Sequence, residues 1–344
     1  MTETMSFWRG RRTLITGASG FLGAQLAKLL IDAGAKLVGF DLRPSTWCLQ
    51  VHGLDGAFPI VAESVMDLDA VRRALREERI EVVVHLAGQS KIEESGAKPF
   101  STLDVNVRGT WTVLEACRDL PSLISVVCAS SNHIYGPQQS REPFPEDAPL
   151  NQLDAYGVSK ACADLIVRMY ARQYGVPAVA VRNTNSFGPG DPHTSHVVTG
   201  TILSLLDGNA PVIRSDGSPV KAYLYAEDTM EAYMRVAEVA SRDDVRGQAF
   251  NVTTDAPVSV LELVRTIVNV SDTPELQPIV QGKDLSQQGS YEHLSNARTK
   301  RVIGWSPRHT LEDGLRLTYA WYAKQGREWL RAQQPARTVA ATTG

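Results

Sequence analysis

The sequence lacks the features that mark several classes of protein. Among its 344 residues are only four cysteines, with no C-x-x-C pair and no histidine cluster at metal-ligand spacing. We therefore expect reduced cysteines and no metal site. The 35 lysines and arginines nearly balance the 38 aspartates and glutamates, and the net charge is −3. Such a balance gives no electrostatic footprint for a nucleic acid or an anionic membrane, so neither is an expected partner.

Long apolar runs are missing too. No run reaches the roughly 18 apolar residues that a membrane-spanning helix needs, and the opening residues MTETMSFWRGRR contain no signal-peptide core. No internal repeat is present, which excludes a solenoid. We expect a soluble cytoplasmic protein, long enough for one large domain or two closely joined ones.

The first half of the sequence alternates apolar runs with segments of helical periodicity. The apolar runs predict strands at residues 12–17, 36–41, 80–88, 123–130 and 177–183, with a weaker one at 58–64. The segments between them predict helices at residues 22–34, 68–78, 100–120 and 155–175. Buried strands that alternate with helices are typical of a parallel sheet covered on both faces. The sequence therefore predicts an α/β fold with a Rossmann-type, doubly wound parallel sheet.

After about residue 183 the loops become rich in glycine and proline. Further helices are predicted at residues 196–208, 228–240, 258–270 and 310–324. This half predicts a smaller α/β lobe that binds the substrate. We expect an NAD-binding domain over residues 1–182 with a return segment at about 222–253, a substrate-binding lobe over 183–221 and 254–326, and a disordered tail over 327–344.

A glycine-rich segment, TGASGFLG, joins the first predicted strand to the first predicted helix. Gly17, Gly20 and Gly23 allow a tight turn, close approach of the backbone to a pyrophosphate and close packing of the helix. The next predicted strand ends in Asp41, which could bind the adenosine ribose and repel a 2′-phosphate. We therefore predict NAD rather than NADP, although Arg43 could pair with such a phosphate. The alternative is an ordinary strand-to-helix turn with a surface aspartate.

Three residues suggest the chemistry of a dehydrogenase. Tyr156 and Lys160 are four apart on a predicted helix, so they share a face, and a nearby lysine cation would lower the pKa of the tyrosine. Ser131 ends a neighbouring predicted strand and could hydrogen-bond with a reacting hydroxyl. Together they predict a site that removes a proton from an alcohol while hydride passes to NAD. Tyr-x-x-x-Lys alone arises often by chance, so this prediction depends on the glycine segment.

With these pieces, the sequence resembles the extended short-chain dehydrogenase/reductase family, specifically its nucleotide-sugar epimerases and dehydratases. The resemblance extends over about residues 12–324, and the wording is closest to the CDP-glucose 4,6-dehydratase-like branch. The segments that carry it, besides TGASGFLG and Asp41, are MDL at 66–68, HLAGQS at 85–90, DVNVRGT at 104–110, SSNHIYG at 130–136, AYGVSKACADL at 155–165, RNTNSFGPGD at 182–191, KAYLYAEDTMEAY at 221–233 and RVIGWSPRHTLEDGL at 301–315.

The resemblance implies the remaining members of the candidate site. The implied cofactor-binding residues are Gly17, Ser19, Gly20, Phe21, Leu22, Gly23, Asp41, Leu42, Arg43, Asp67, Leu68, Leu86, Ala87, Gly88, Gln89, Asn106, Tyr156 and Lys160. The implied substrate-binding residues are Ser90, Asn185 and Lys221. It also implies a homodimer in which the helices near residues 100–118 and 154–173 form a four-helix bundle. Trp111 would lie at that interface or, as we prefer, in the core.

Asn132 and His133 depart from the pattern of the dehydratases that this chain resembles. Those enzymes carry an acidic pair, or an acid and a lysine, after the serine or threonine, whereas the 4-epimerases carry small or uncharged residues. Asn132 can only hydrogen-bond, which counts against ordinary dehydration. His133 could act as an acid or base, which keeps dehydration or epimerisation at C3 or C5 open, but it could equally serve only in packing. Both residues belong to the candidate catalytic set.

The substrate side departs from the family as well. The resemblance places an Arg-Asp pair where Lys221 and Ala222 stand, and a lysine keeps the charge but loses the two-pronged grip on a pyrophosphate. We predict NAD-dependent epimerisation at C4 of a nucleotide-linked hexose through a transient 4-keto intermediate. The alternatives are 4,6-dehydration or a related elimination, a non-catalytic NAD-binding protein, and a net dehydrogenase or reductase.

Overall fold

A computed structural model describes residues 3–138, 140–283, 289–326 and residue 328 of the chain. The predicted disordered tail at 327–344 lies, apart from residue 328, outside the described residues. In the part of the chain that the structure describes, no helix is long and apolar enough to cross a membrane.

The strands of the described residues fall into one large sheet and several small ones. They are β1 (Arg12–Thr16), β2 (Lys36–Phe40), β3 (Ile60–Val61), β4 (Val82–His85), β5 (Ser125–Ala129), β6 (Ala178–Asn183), β7 (Asn185–Phe187), β8 (Val212–Ile213), β9 (Val220–Lys221), β10 (Tyr223–Tyr225), β11 (Ala249–Val252), β12 (Val258–Ser259), β13 (Ile279–Val280) and β14 (Tyr291–Glu292).

The α-helices that the structure describes connect and cover these strands. They are α1 (Glu3–Trp8), α2 (Phe21–Asp32), α3 (Trp47–Val51), α4 (Leu68–Glu77), α5 (Ile92–Ala97), α6 (Pro99–Leu103), α7 (Gly109–Arg118), α8 (Ala155–Tyr174), α9 (Val197–Leu206), α10 (Ala226–Val239), α11 (Val260–Val270) and α12 (Leu311–Trp321). The π-helical turns are Asp104–Arg108, Thr299–Ile303 and Tyr322–Gly326, and a 3₁₀ turn spans Asn132–Tyr135.

The large sheet has seven parallel strands in the order β11-β6-β5-β4-β1-β2-β3. This order confirms the predicted Rossmann-type, doubly wound fold. The chain reverses direction across the sheet between β1 and β4, and ligands of such sheets bind beyond the carboxyl ends of the strands at that point. The weak strand predicted at 58–64 is reduced to the two residues of β3 at the edge of the sheet.

The core lies on both faces of this sheet. Along β4, Val82 and Val84 belong to one hydrophobic cluster and Val83 to another, because successive side chains of a strand point to opposite faces. Helices α2 and α10 complete the first cluster, and α4, α7 and α8 complete the second. A third cluster packs α9, α11 and α12 together beside β7 and β10.

A buried arginine holds several elements together behind the carboxyl edge of the sheet. Arg182 of β6 is fully buried, and its guanidinium donates two hydrogen bonds of 2.8 Å to Asp164 of α8. It also donates to the hydroxyl of Tyr135 (2.8 Å), which in turn donates to Asn251 of β11 (2.7 Å). A bidentate pair of this kind fixes direction as well as distance. It therefore anchors the 3₁₀ turn that follows β5.

Candidate active site

The glycine-rich segment lies between β1 and α2, as predicted, and its backbone leaves no room for side chains. Gly17 has a φ of +72°, and a Cβ on it would stand 2.9 Å from the backbone nitrogen of Ala87. A Cβ on Gly23 would stand 2.1 Å from the carbonyl oxygen of Gly17. Gly20 is exposed and caps the amino terminus of α2. The loop therefore presents bare backbone at the start of a helix, which suits a phosphate.

Asp41 follows β2 and turns toward the glycine-rich loop. Its Oδ2 accepts hydrogen bonds from the Ser19 backbone nitrogen (3.2 Å) and from Ser19 Oγ (2.7 Å). These bonds hold a carboxylate beside the loop, where it can accept from ribose hydroxyls. The next residues, Leu42 and Arg43, are both exposed.

The other cofactor residues implied by the resemblance line the same edge of the sheet. Asp67 caps α4 by accepting from the backbone nitrogens of Asp69 and Ala70, each at 3.0 Å, so it has a structural role of its own. Ser64, Met66 and the next residues line an open groove here. The half-buried or exposed residues of this edge are Phe21 and Leu22 at the start of α2, Leu68 at the start of α4, and Leu86, Ala87, Gly88, Gln89 and Ser90 after β4.

Asn106 lies in a π-helical turn that interrupts the long helix predicted at 100–120. Its Oδ1 accepts from the Gln89 backbone nitrogen (2.7 Å), and its Nδ2 donates to the Gln89 carbonyl (3.0 Å) and to Ser159 Oγ (2.8 Å). π-Helical turns occur often at functional sites because the extra residue redirects a side chain. Here the turn directs a buried amide onto the loop after β4 and fixes that loop against α8.

Three buried polar atoms at the carboxyl edge of the large sheet have no hydrogen-bond partner among the described residues. They are Gln89 Nε2, Ser130 Oγ and Thr184 Oγ1, the last directly after β6. Buried donors are normally satisfied, so atoms of this kind mark a place where a polar ligand completes the structure. With the bare glycine loop and the Asp41 carboxylate, they fit a dinucleotide at the carboxyl edge of the sheet.

The structure brings Ser131, Tyr156 and Lys160 together. The side chains of Ser131 and Tyr156 lie close enough for Ser131 to influence the pKa of the tyrosine, and Ser131 Oγ accepts from the backbone nitrogen of His133 (3.2 Å). Lys160 lies one helical turn after Tyr156, and its Nζ donates to the carbonyl of Ala129 (3.1 Å). All three side chains of the predicted triad are buried.

The pKa values of this cluster differ from the prediction in one respect. Burial raises the pKa of Tyr156, and the Ser131 side chain opposes that rise. Burial lowers the pKa of Lys160 to about 8, although the neighbouring Cys128 favours its charged form. The expected lowering of the tyrosine pKa is therefore not present in this structure, because the cost of burying charge outweighs the favourable contacts.

Asn132 and His133 point to different neighbours. Asn132 Nδ2 donates to Glu292 Oε2 (3.1 Å), and Asn132 Oδ1 accepts from Ser131 Oγ (3.4 Å). The His133 ring stands edge-on to the Tyr156 ring, with 5.7 Å between centroids. His133 Nδ1 is also 3.4 Å from Gln152 Nε2, and 19% of the His133 side chain is exposed. Both residues lie in the candidate site, and His133 is directly beside the reacting tyrosine of the prediction.

The predicted substrate residues Asn185 and Lys221 lie close together beyond the sheet. Asn185 Nδ2 donates to the carbonyl of Ala222 (3.3 Å), next to Lys221 in the chain. Lys221 Nζ forms a salt bridge of 3.1 Å with Glu292 Oε1. Ser90, the third predicted residue, is exposed after β4.

Sequence reasoning missed Glu292 and Ser159. Ser159 is three residues after Tyr156 on α8, so helical spacing could have suggested it. Glu292 is 160 residues from Asn132 in the chain, and no motif surrounds it. Trp111 was also placed wrongly: its side chain is 44% exposed, so it is not in the core. The described residues contain no group of three or more metal-ligating side chains.

The fold and this arrangement are typical of dinucleotide-dependent enzymes. The model of the NAD dependent epimerase/dehydratase family matches residues 13–253. The chain therefore belongs to the NAD dependent epimerase/dehydratase family, and the predictions of the family, the NAD cofactor and an enzyme are confirmed.

The individual relatives of this chain include both epimerases and dehydratases. The chain is 33% identical to a UDP-glucose 4-epimerase of Mycolicibacterium smegmatis, covering 90% of this chain and 98% of the relative. It is 29% identical to a trifunctional protein of Arabidopsis thaliana, named as a UDP-glucose 4,6-dehydratase, UDP-4-keto-6-deoxy-D-glucose 3,5-epimerase and UDP-4-keto-L-rhamnose-reductase, covering 94% of this chain and 48% of that protein. A solved UDP-glucose 4-epimerase of Thermotoga maritima with UDP-glucose superposes with a TM-score of 0.81 at 25% identity, covering 91% of this chain and 99% of that one.

Proposed function

We propose that this protein epimerises C4 of a nucleotide-linked hexose through a transient 4-keto intermediate. The observation that carries the proposal is the buried cluster of Ser131, Tyr156 and Lys160 beside the uncharged Asn132. The cluster can remove the proton of an alcohol whose hydride would pass to NAD, and an amide at position 132 cannot donate the acidic proton that elimination of water needs. The relatives that are named for activities on UDP-glucose support a nucleotide sugar as the substrate.

The residues of the cluster have separate roles in this proposal. Tyr156 takes the proton of the C4 hydroxyl, and Ser131 hydrogen-bonds with the same oxygen. Lys160, while protonated, stabilises the phenolate that forms on Tyr156, because an adjacent cation favours the charged form. NAD held at this edge would supply the acceptor for the C4 hydride and would give the same hydride back to the other face of the ketone, so the reaction would have no net redox change.

The cofactor is held, in this proposal, by the loop and edge residues of the large sheet. The backbone of Gly17, Gly20 and Gly23 binds the pyrophosphate, and Asp41 accepts from the adenosine ribose. Asn106 would hold the Gln89 segment in place beside the cofactor. We assign residues 1–182 with the return segment at 222–253 to cofactor binding, and 183–221 with 254–326 to substrate binding.

A second candidate reaction is 4,6-dehydration, and the position of His133 favours it. The ring is within van der Waals reach of Tyr156, with 5.7 Å between centroids, and it is 4.0 Å from Asp154 Oδ2. An imidazole there could supply a proton to a leaving hydroxyl. Elimination also needs a group that takes the C5 proton. Because that proton exchanges with solvent, deuterium incorporation distinguishes dehydration from C4 epimerisation.

Chromatography that separates the epimers, coupled to mass spectrometry of reactions in deuterated water, tests the proposal. UDP-glucose and other nucleotide sugars are incubated with the protein and NAD. C4 epimerisation gives an isomer of unchanged mass without deuterium, because the hydride never exchanges with solvent. Loss of water with deuterium in the sugar means dehydration instead. An unchanged substrate across the panel, with NAD bound, overturns the assignment and favours a non-catalytic protein.

We also propose a homodimer formed by the helices near residues 100–118 and 154–173. Large apolar side chains are exposed on both: Phe100 (84%), Leu103 (37%), Trp111 (44%), Leu165 (53%) and Met169 (43%). A pairing of two copies would cover them. Light scattering of Leu165→Glu should show a monomer, whereas the control Leu317→Glu, at an exposed leucine of α12, should leave the dimer intact. A wild-type monomer contradicts the proposal. A cytoplasmic location stays a prediction.

A further inference from the structure

A carboxylate that no sequence motif predicts lies in the middle of the candidate substrate site. Glu292 Oε2 accepts from Asn132 Nδ2 (3.1 Å), and Glu292 Oε1 pairs with Lys221 Nζ (3.1 Å). Asn132 is bonded in turn to the candidate catalytic Ser131. A continuous chain of polar contacts therefore runs from the reacting centre to the lysine on β9.

The main chain fixes the position of this carboxylate. β14 pairs with β9 so that Glu292 stands opposite Lys221, and β12 flanks β9 on its other side. The side chains remain partly open, with 23% of Glu292 and 15% of Lys221 exposed. The negative charge also reaches Tyr223: burial raises the pKa of Tyr223, and Glu292 raises it further. Strand pairing and side-chain contacts thus keep the Glu292 carboxylate in a fixed, partly solvated position.

We infer that Glu292 determines sugar specificity: it accepts hydrogen bonds from neutral sugar hydroxyls and discriminates against sugars that carry a negative charge. The inference rests on the proposed function, because it places the sugar between Lys221 and the Ser131–Tyr156 pair. A hydroxyl group is a donor that a carboxylate binds well, whereas a second carboxylate is repelled across a partly desolvated space.

The salt bridge gives the inference a second consequence. The Glu292 carboxylate partly neutralises the Lys221 ammonium group. Lys221 therefore attracts a negatively charged sugar, and Glu292 repels it. Removal of the carboxylate leaves a free lysine cation, which attracts an anionic sugar. Removal of the lysine leaves a bare carboxylate, which repels it more strongly. The pyrophosphate is common to all nucleotide sugars, so its contribution cancels when the affinities of two sugars are compared.

Binding of UDP-glucose and UDP-glucuronate to the NAD-loaded protein tests the inference, because the two probes differ only in a carboxylate at C6. The ratio of their dissociation constants is measured by calorimetry for wild type, Glu292→Gln and Lys221→Met. Glu312→Gln serves as the control, since Glu312 lies on α12 in an exposed pair with Arg316. Circular dichroism checks that each variant is folded.

We expect wild type to bind UDP-glucose roughly tenfold or more tightly than UDP-glucuronate. Glu292→Gln should reduce that ratio to within about threefold of unity, Lys221→Met should increase it, and Glu312→Gln should not change it. A ratio that Glu292→Gln leaves unchanged overturns the inference, and so does equal binding by wild type. If Glu292→Gln does not fold, the opposite shift expected for Lys221→Met remains a complete test.

Failure of the proposed reaction is distinguishable from failure of this inference. Absence of turnover with every nucleotide sugar of the panel, together with the expected shifts in binding, removes the epimerase assignment and supports the role of Glu292. Absence of binding by either probe overturns the role of Glu292, and turnover of the panel then decides the reaction separately. Turnover of UDP-glucose with identical ratios in wild type and Glu292→Gln keeps the reaction and removes the role of Glu292.

Discussion

The cofactor side and the substrate side of the site are built in different ways. On the cofactor side, strands of four to six residues end at the same edge of the sheet. A Cβ added to Gly17 or Gly23 would stand less than 3 Å from a backbone atom of the loop or of the segment after β4. On the substrate side, the residues come from the two-residue strands β9 and β14, and side-chain contacts join them to the catalytic turn. The first is fixed by backbone, the second by exchangeable side chains.

This difference separates what is constant from what is adjustable. A change in the glycine loop disturbs packing throughout the sheet edge, so few substitutions are tolerated there. A change at Asn132, Lys221 or Glu292 alters charge and hydrogen bonding without moving a main-chain element. A fold of this type can therefore keep one redox centre while its substrate changes.

The largest expected effect comes from the point where the two sides meet. Tyr156→Phe removes the proposed proton acceptor and should lower kcat by roughly a thousandfold, because positioned acid–base groups contribute about that much. NAD binding should persist, since the ring remains. Turnover assays and NAD titration measure the two effects, and Tyr174→Phe, at a half-exposed tyrosine of the same helix, is the control. Substantial residual activity would give the base role to another residue.

On the cofactor side, Gly23→Ala should reduce NAD affinity by about tenfold to a hundredfold, because its Cβ would stand 2.1 Å from the Gly17 carbonyl and force the loop apart. The control is Gly96→Ala, where a Cβ has nothing within 4 Å. Fluorescence titration with NAD measures the loss. Equal affinity for both variants would show that the loop is more adaptable than its contacts indicate.

On the substrate side, Asn132→Asp should raise KM by roughly tenfold, because it places a second carboxyl beside Glu292 in place of an amide donor. One of the two carboxyls then has a raised pKa. The defect should be smallest at low pH, where a shared proton joins them, and should grow as pH rises and both become charged. Asn132→Ala, which adds no charge, should show a defect without this pH trend. Formation of a dehydrated product by Asn132→Asp would instead show that residue 132 determines which reaction occurs.

The last prediction concerns stability rather than activity, in the frame behind the glycine loop. His85 of β4 is buried between Thr16 Oγ1 (2.7 Å) and Thr110 Oγ1 (3.2 Å), and burial lowers its pKa to about 3. Between pH 6.5 and 3 the unfolded chain therefore binds a proton that the folded chain does not. As the pH falls through this range, the free energy of unfolding should therefore decrease by up to about 1.4 kcal/mol per pH unit. His85→Gln should reduce that slope in urea titrations; an unchanged slope would assign it to other groups.

The cofactor side could be predicted from the sequence because its signals are local. The glycine loop, Asp41 and the pair Tyr156–Lys160 each lie within one strand–turn–helix unit or one helical turn, where spacing determines position. The lowering of the tyrosine pKa was predicted wrongly, because burial depends on the whole fold. The π-helical turn at Asn106 was missed since the sequence there reads as an ordinary helix.

The substrate side could not be predicted in the same way. Asn132 and His133 were recognised as unusual, but the partner of Asn132 is 160 residues away and arrives on a strand of two residues. Strands of that length carry no period, and their register depends on the elements around them. Lys221 was expected to meet a pyrophosphate, and nothing in its local sequence indicated a glutamate opposite to it.

The π-helical turn at Asp104–Arg108 has a consequence for insertions and deletions. A turn of this kind holds one residue more than an α-helical turn, and each residue of an α-helix adds about 100° of rotation. Phe100 and Leu103 are therefore rotated by about that angle, relative to Trp111, from their places on an uninterrupted helix. Deletion of one residue here would make the helix regular but turn the exposed apolar side chains of its two halves to different sides. At this place chain length, more than residue type, sets both the inward direction of Asn106 and the outward surface.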